Sequence, residues 1–174
     1  MQLVLAGDFS MVREKYIEVI EHTKDMNIHA RWIYGQHPTD AMIQSYIDGQ
    51  EMYLFMDGQN VVGMAAMTMY QDEDYHEIIW SQNLKDDEVA SLHILAVIPE
   101  YQGKGVSKRM MTEIISLVKK NGKKALRLDA LASNTPARRL YEKLGFEYRG
   151  KQNLFAENTG WTDFLYYELP LSKN

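Results

Sequence analysis

The chain has 174 residues, of which 45% are hydrophobic and 25% are charged, and its formal net charge is -5. This length and composition predict one globular domain over residues 1–174. The absence of cysteine excludes a disulfide scaffold, a thiolate metal site and a cysteine nucleophile.

The charge pattern and the apolar runs also limit the partners. An acidic balance without an extended basic stripe predicts that nucleic acid is not a partner. The apolar runs are shorter than the roughly 18 residues that span a bilayer, and the N-terminus reaches Asp8 before any long apolar stretch. We therefore expect a soluble, cytoplasmic protein with no membrane partner. The oligomeric state is open, with a homodimer as one alternative.

The first part of the chain shows the patterns of a strand, two helices and a β-hairpin. Asp8 or Ser10 can cap the first helix, and Thr39 lies where the second begins. Asp57-Gly58 between two β-rich runs is typical of a hairpin turn. The predicted elements are, in order, a strand over residues 3–6, a helix over 11–23, a helix from 38 to 47 and a hairpin over 51–70.

Residues 71–88 are polar and acidic apart from Ile78-Ile79-Trp80. One interpretation is a solvated loop with a hydrophobic anchor. The other is a loop that covers a substrate mouth, because long loops in compact domains are often functional. Both interpretations stay open at this point.

The second part of the chain alternates strands and helices and then ends in two strands. Pro99 ends a buried type of strand, Gly122 follows an amphipathic helix, and Asn134 or Thr135 can cap the next helix. The predicted elements are strands over residues 89–98 and 124–131, helices over 106–120 and 135–144, and final strands over 146–155 and 162–169. This order predicts a mixed α/β sheet.

The segment PEYQGKGVSKRM, residues 99–110, joins a strand directly to a helix. Unpaired N–H groups and a partial positive charge at a helix start favour anion binding, and Gly103 and Gly105 leave the amides uncovered. The segment contains neither GxxxxGK[ST] nor GxGxxG, which argues against the commoner nucleotide loops. Taken alone, it is either a phosphate site or an ordinary strand-to-helix turn.

Its context narrows this choice. LHILAVIPEYQGKGVSKRMM followed by LRLDALASNTPARRLYEKLGFEYRG resembles the GNAT family of acyl-CoA-dependent N-acyltransferases. The phosphate loop of that family has the form Gln/Arg-x-x-Gly-x-Gly/Ala, and Ser107 departs from it at the last position. The resemblance is specific over residues 89–150. It implies a mixed, mostly antiparallel sheet flanked by helices, with a splayed strand at the acyl-CoA site.

The resemblance also implies acetyl-CoA as cosubstrate. Its pyrophosphate is expected on the loop amides and its pantetheine arm along the preceding strand, where the N–H of Leu95 would polarise the thioester carbonyl. Asn134 would contact the cofactor arm, and its alternative role is a helix N-cap. The implied cofactor-binding residues are Leu95, Ala96, Val97, Gln102, Gly103, Lys104, Gly105, Val106, Ser107, Asn134, Ala137 and Tyr141.

Two side chains are predicted to be catalytic. Tyr141 aligns with the tyrosine that protonates the departing thiolate in many GNAT enzymes; its alternative is an aromatic core residue. His93 occupies a position where GNAT amine acetylases often carry His or Glu, and it would accept the amine proton. In an extended strand it shares a face with Ser91, Leu95 and Val97. Its alternative is a core histidine.

The predicted function is acetyl transfer from acetyl-CoA to a primary amine of a small molecule or peptide, by direct attack in a ternary complex. Two alternatives stay open: a non-catalytic acyl-CoA sensor, and a transferase for a longer acyl group. The other histidines fall into no metal-ligand spacing, so no metal is predicted. Asp129 is interpreted as a paired buried carboxylate. Trp32, Trp80, Tyr34 and Tyr75 are interpreted as core residues or as walls of an acceptor pocket.

Overall fold

The computed structural model describes residues 1–171, and in this part of the chain seven strands form one sheet with four α-helices around it. The strands are β1 (Gln2–Leu5), β2 (Met52–Asp57), β3 (Asn60–Thr68), β4 (Val89–Val97), β5 (Ala125–Leu131), β6 (Glu147–Ala156) and β7 (Gly160–Pro170). The helices are α1 (Phe9–His22), α2 (Asp40–Asp48), α3 (Val106–Lys120) and α4 (Thr135–Lys143). Within residues 1–171, no helix has the length and apolar character needed to cross a bilayer.

The strand order in the sheet is β1-β2-β3-β4-β5-β7-β6, and among the described strands only β4 and β5 run parallel to each other. The predicted mixed, mostly antiparallel sheet is therefore confirmed. Each predicted helix and strand is present, with its ends within two residues of the predicted ones. Between β3 and β4, the short 3-10 helices Glu73–Glu77 and Asp86–Glu88 interrupt the acidic segment.

Short polar side chains cap three of the helices. Asp8 accepts a hydrogen bond from the N–H of Met11 at 3.1 Å, and Thr39 accepts one from Met42 at 3.1 Å. Asn134 accepts one from Ala137 at 3.4 Å. Each cap satisfies an N–H group that the helix leaves unpaired, and such a cap contributes about 1 kcal/mol.

The sheet separates two hydrophobic cores. On one face, Met110 and Ile114 of α3 and Tyr141 of α4 pack against the strands. On the other face, Val12 of α1 and Ile43 of α2 do so. Each fully buried apolar side chain contributes about 1.5–3 kcal/mol to folding. The two cores hold the central strands in place and leave the gap between β4 and β5 as the position for a site.

Strands β4 and β5 are paired over only part of their length. Val89–Leu92 lie in parallel register with Ala125–Leu128. Within the described part of the chain, residues 93–97 of β4 and 129–131 of β5 have no register partner across the gap. The two strands therefore diverge beyond Leu92, which confirms the predicted splay.

Candidate functional site

A cavity of about 560 Å³ lies where β4 and β5 part. Its walls come from both strands, from the segment between α1 and α2, from α4 and from the turn between β6 and β7. Eight of the predicted cofactor-binding residues line it: Leu95, Ala96, Val97, Gln102, Ser107, Asn134, Ala137 and Tyr141. The predicted base His93 lines it too, whereas Gly103, Lys104, Gly105 and Val106 lie outside the lining.

Strand β4 contains a β-bulge at the cavity. In register with β3, His93 lies opposite Ala66 and Ala96 lies opposite Met64, so three residue steps on β4 face two on β3. Ile94, within the bulge, has a φ of 43°. This left-handed conformation is unusual for a β-branched residue, and it persists where surrounding contacts hold it.

The bulge reverses the side-chain alternation of β4. Leu92, before the bulge, packs in the core under α3, whereas Ile94 packs in the core under α1. Leu95 and Val97 pack against the α3 core, while His93 stacks on a tyrosine of α2. The prediction that His93 shares a face with Leu95 and Val97 is therefore wrong, because it assumed uninterrupted alternation.

A buried phenol on the α1 side of the sheet holds this bulge. Tyr16 of α1 is fully buried and donates a hydrogen bond to the carbonyl of Ile94 at 2.8 Å. Among the described strands, neither Ile94 nor Leu95 has a register partner in β3 or β5. The Ile94 carbonyl is thus satisfied by Tyr16, while the backbone of Leu95 has no strand partner among the described residues, and the role of its N–H as a carbonyl donor stays a prediction.

The glycine turn leads directly into α3. Gly103 and Gly105 have φ values of 72° and 75°, in the left-handed region that favours glycine. Gly105 is the N-cap of α3 and supplies no side chain to its first N–H groups. A Cβ at either glycine would meet no atom within 4 Å, so the backbone N–H groups beside these glycines are not covered by other described parts of the chain. This end of α3 can bind an anion.

The other predicted loop residues have different roles in the structure. Gln102 donates hydrogen bonds from Nε2 to the carbonyl of Val97 at 3.0 Å and to Oγ1 of Thr23 at 2.8 Å, so it ties the loop to β4 and α1. Val106 is buried in the α3 core, which leaves only its backbone for a ligand. The ammonium of Lys104 lies 5.8 Å from the ring centroid of Tyr101.

Tyr141 is both a core residue and a cavity residue. Its ring packs against Phe146 and Tyr167 at centroid distances of 5.7 and 6.1 Å, while its side chain lines the cavity. Burial raises the pKa of Tyr141 well above its usual range, and the carboxylate of Asp129 adds to this. The phenol is therefore protonated at neutral pH. Asn134, close by, is the N-cap of α4 and also lines the cavity.

His93 is largely buried among aromatic rings and carboxylates. It stacks on Tyr46 at a centroid distance of 5.8 Å, and its Nε2 lies 3.5 Å from a carboxylate oxygen of Asp72. Within residues 1–171, this buried Nε2 has no hydrogen-bond partner. Burial lowers the pKa of His93, while Asp129 and Asp72 oppose the shift. The imidazole is therefore neutral at pH 7 and has a nitrogen available to accept a proton.

Asp129 of β5 lies at the same end of the cavity. Burial raises the pKa of its carboxyl group, and a hydrogen bond of 2.8 Å from the hydroxyl of Tyr75 opposes this. His37 also lines this end, and burial lowers its pKa. In the sequence, His37 is grouped with the other histidines and has no predicted role at the site, because no local pattern connects residue 37 with residues 93 and 129.

Residues 24–38, between α1 and α2, cross the cavity and are called the strap below. His29 and Ser133 exchange two hydrogen bonds, with Nδ1 of His29 at 3.2 Å from the Ser133 carbonyl and Oγ of Ser133 donating at 2.9 Å. Arg31 donates to the carbonyl of Thr159 at 3.0 Å, and Asn158 donates to the carbonyl of Arg31 at 2.8 Å. Sequence reasoning missed the strap, since it shows no periodic pattern.

The acidic segment, residues 71–88, is fixed by a buried guanidinium. Arg127 forms an ion pair with Glu168 at 2.9 Å, and both side chains are 1% exposed. It also donates to the side chain of Gln71 and to the carbonyl of Gln82 at 3.2 Å. Trp80 lies over the guanidinium at 4.2 Å, so it is a packing residue and not a wall of the cavity. In the sequence, the signal for this buried pair is the arginine between two leucines in KALRLDAL, because a charge within a buried strand needs a partner.

The described residues contain no group of three or more His, Asp or Glu side chains arranged to hold a metal ion. The expectation that the reaction uses no metal stays a prediction.

Trp32, unlike Trp80, lines the cavity, with its ring 5.9 Å from that of His37.

Comparison with known proteins adds the family. The sequence model of the acetyltransferase (GNAT) family matches residues 17–146. The ribosomal protein bS18-alanine N-acetyltransferase of Escherichia coli is 36% identical over 84 residues, 48% of this chain and 57% of that protein. Mycothiol acetyltransferase of Brachybacterium faecium is 26% identical over 110 residues, 63% of this chain and 30% of that protein. The aligned part of this chain thus corresponds to 57% of the length of the first relative and 30% of the length of the second.

Solved structures share the fold over nearly the whole chain. An N-acetyltransferase from Staphylococcus aureus has a TM-score of 0.70 at 17% identity and covers 98% of both chains. A Salmonella typhimurium protein described as an acetyltransferase, solved with its cofactor acetyl-CoA, has a TM-score of 0.69 at 18% identity and covers 100% of this chain and 95% of its own.

Proposed function

Since this chain belongs to the acetyltransferase (GNAT) family, we propose that it transfers the acetyl group of acetyl-CoA to a primary amine of a small molecule or peptide. The amine attacks directly, with no covalent enzyme intermediate. One observation carries the proposal: a single cavity runs along the unpaired edge of β4, from beside the glycine turn to His93 and past Tyr141. We further propose that residues 1–174 act as one domain.

The residues present fit acetyl-CoA. The unpaired β4 edge offers N–H and C=O groups to an arm that contains amides, and the open amides at the start of α3 suit a pyrophosphate. Gln102 holds these two parts together through Val97, so it acts as a positioning residue. Bound acetyl-CoA would supply the thioester whose carbonyl carbon the amine attacks.

The amine must lose a proton before or during the attack. An alkyl amine has a pKa of about 10.4, so the neutral form costs roughly 4–5 kcal/mol at pH 7. His93, whose side chain lines the cavity, accepts this proton. Asp72, at 3.5 Å, then stabilises the imidazolium that forms.

Tyr141 supplies the proton that the departing thiolate needs. Its burial keeps the phenol protonated at neutral pH. The same water-poor surroundings raise the pKa of a thiol, so the donor and the acceptor of this proton shift in the same direction. A positioned acid of this kind contributes about 10²–10⁴-fold to the rate.

The test is release of the CoA thiol from acetyl-CoA with a panel of amines, for the wild type and for Tyr141→Phe. We expect kcat to fall about 10²–10⁴-fold, since the proton donor is lost. The Kd for acetyl-CoA, measured by calorimetry, stays close to the wild-type value because the ring remains. Tyr148→Phe is the matched control, since Tyr148 is 53% exposed on β6 and does not line the cavity.

Three results would contradict parts of this proposal. Wild-type turnover in Tyr141→Phe removes Tyr141 as the acid. Faster turnover with octanoyl-CoA than with acetyl-CoA replaces the acetyl group by a longer one. Binding of acetyl-CoA without any amine-dependent thiol release would support a sensing domain instead.

A further inference from the structure

The end of the cavity furthest from the glycine turn is called the acceptor end here. Aromatic and imidazole rings dominate its walls, and two ring contacts hold them together: Trp32 with His37 at 5.9 Å, and Tyr46 with His93 at 5.8 Å. The residues of the acceptor end are Trp32, His37, Tyr46, His93, Asp129 and Phe164. Such walls favour a ligand with an apolar or aromatic body.

Within residues 1–171, the acceptor end has an acidic side chain and no cationic one. Asp129 is the acidic side chain, and burial lowers the pKa of both histidines, so they carry no positive charge at pH 7. Among the lining residues of the described chain, Lys24 is the only lysine or arginine. It directly follows Thr23, which binds Gln102 of the glycine turn, so it belongs to the opposite end. A carboxylate brought to the acceptor end would be buried without a cationic partner, which is costly.

The strap closes one side of this end. The four hydrogen bonds between the strap and residues 133, 158 and 159 join it to the loop before α4 and to the turn between β6 and β7. A peptide that reaches the cavity between the strap and this turn would have to break these bonds. A small molecule that fits within the cavity leaves them intact.

We propose that the acceptor is a small primary amine with an apolar body and no carboxylate, rather than the amino terminus of a peptide or protein. This rests on the proposed function, because it names the substrate class of the same site. The amine group lies toward His93 and Asp129, and the apolar body lies against Trp32, Tyr46 and Phe164. This chain is similar to ribosomal protein acetyltransferases, but a protein amino terminus is not its proposed acceptor.

The test compares four acceptors at saturating acetyl-CoA: phenethylamine, phenylalanine, a short peptide amide that begins with phenylalanine, and spermidine. The first three share one apolar body and differ in the carboxylate and the peptide chain. We expect kcat/KM for phenethylamine to exceed each of the others at least tenfold. Equal or faster turnover of phenylalanine, the peptide or spermidine overturns this inference and leaves acetyl transfer intact. Thiol release that no amine accelerates contradicts the proposed function itself.

Two variants connect the preference to the structure. Phe164→Arg places a cation at the acceptor end and should raise the ratio of phenylalanine to phenethylamine turnover at least tenfold; Phe155→Arg, on an exposed part of β6, should leave it unchanged. Asn158→Ala removes a bond that holds the strap and should raise the ratio of peptide to phenethylamine turnover severalfold. A ratio within one variant does not depend on how much of it folds. Unchanged ratios in both variants overturn the inference.

Discussion

The strap lines the cavity, the acidic segment packs behind it against His93 and Asp129, and the two segments are attached in opposite ways. The acidic segment is held from inside, by the buried guanidinium of Arg127 and its ion pair with Glu168. The strap is held by partly buried hydrogen bonds between side chains and backbone carbonyls, such as that of Arg31 with Thr159. Arg127 and Glu168 belong to strands β5 and β7, whereas the partners of the strap lie in the loop before α4 and in the turn between β6 and β7.

This difference indicates different mechanical roles. Removal of one partner of a buried ion pair leaves an uncompensated charge. When a partly exposed hydrogen bond breaks, water takes the place of the lost partner, and the cost is small. We therefore expect the acidic segment to keep Asp72 and Tyr75 in constant positions beside His93 and Asp129. We expect the strap to yield first when a ligand enters or leaves.

The largest expected effect comes from Arg127→Met. Glu168 would lose a partner at 2.9 Å and keep Arg149 at 3.2 Å, so we expect a loss of about 3 kcal/mol in the free energy of unfolding. Urea denaturation followed by circular dichroism measures it. Replacement of both Arg127 and Glu168 by Met should recover at least half of the loss.

A surface ion pair gives the matched control for this variant. Lys151→Met removes the exposed ion pair with Asp163 and should change stability by no more than the error of the measurement. If Arg127→Met is as stable as Lys151→Met, the proposed difference between the two attachments is wrong.

A smaller effect is the change of stability with pH at two histidines. His93 packs against Asp72 on the inner side of the acidic segment, and His76 lies exposed within the segment beside Asp86. Burial lowers the pKa of His93 below its unfolded value, so its contribution to stability is present above about pH 6.5 and is lost as the pH falls. A hydrogen bond with Asp86 raises the pKa of His76, so its contribution has the opposite sign and is lost as the pH rises.

We therefore expect His93→Gln to lose less stability than the wild type between about pH 7.5 and 5.5, and His76→Gln to lose more. The groups that face His93 are Tyr46, Asp72, Tyr75, Asp129 and His37, and they are unchanged in both variants. The measurement is the free energy of unfolding in urea at both pH values. Parallel curves for the wild type and His93→Gln would show that the imidazole is not shielded from water.

The smallest expected effect is that of Ser133→Ala on the strap. It removes the hydroxyl that donates to the His29 carbonyl at 2.9 Å, which is worth about 0.5–1.5 kcal/mol. We expect KM for the amine to change severalfold while kcat changes little, because the strap borders the cavity without contacting the thioester. Thr112→Ala, which removes a similar bond of 3.0 Å on α3, should leave KM unchanged. A larger loss of stability than in Arg127→Met would reverse the comparison.

Much of the fold follows from local patterns. Asp8, Thr39 and Asn134 cap helices where the sequence predicts helix starts, because a cap is a contact over three residues. Helical spacing and buried strand runs likewise report on which face of an element meets a core. The resemblance to GNAT proteins predicted the family and the splay of β4 from β5.

The site depends more on contacts between distant parts of the chain. His93 was predicted to lie beside Leu95 and Val97, but the bulge at Ile94 turns those residues to the other face of the sheet. No pattern in LHILAV announces the bulge, since a hydroxyl 78 residues earlier, that of Tyr16, contacts it. For the same reason Asp72 beside His93 was missed.

By itself, the sequence determined the order of elements, the caps, the glycine turn at the start of α3 and the family, because each of these is expressed over a few neighbouring residues. The tertiary structure alone decided the reversed alternation in β4, the strap across the cavity and the buried Arg127 that holds the acidic segment. These depend on hydrogen bonds and ion pairs between residues 41 to 128 positions apart, such as Arg127 with Glu168 and Arg31 with Thr159. Only the assembled sheet brings these partners within hydrogen-bonding distance.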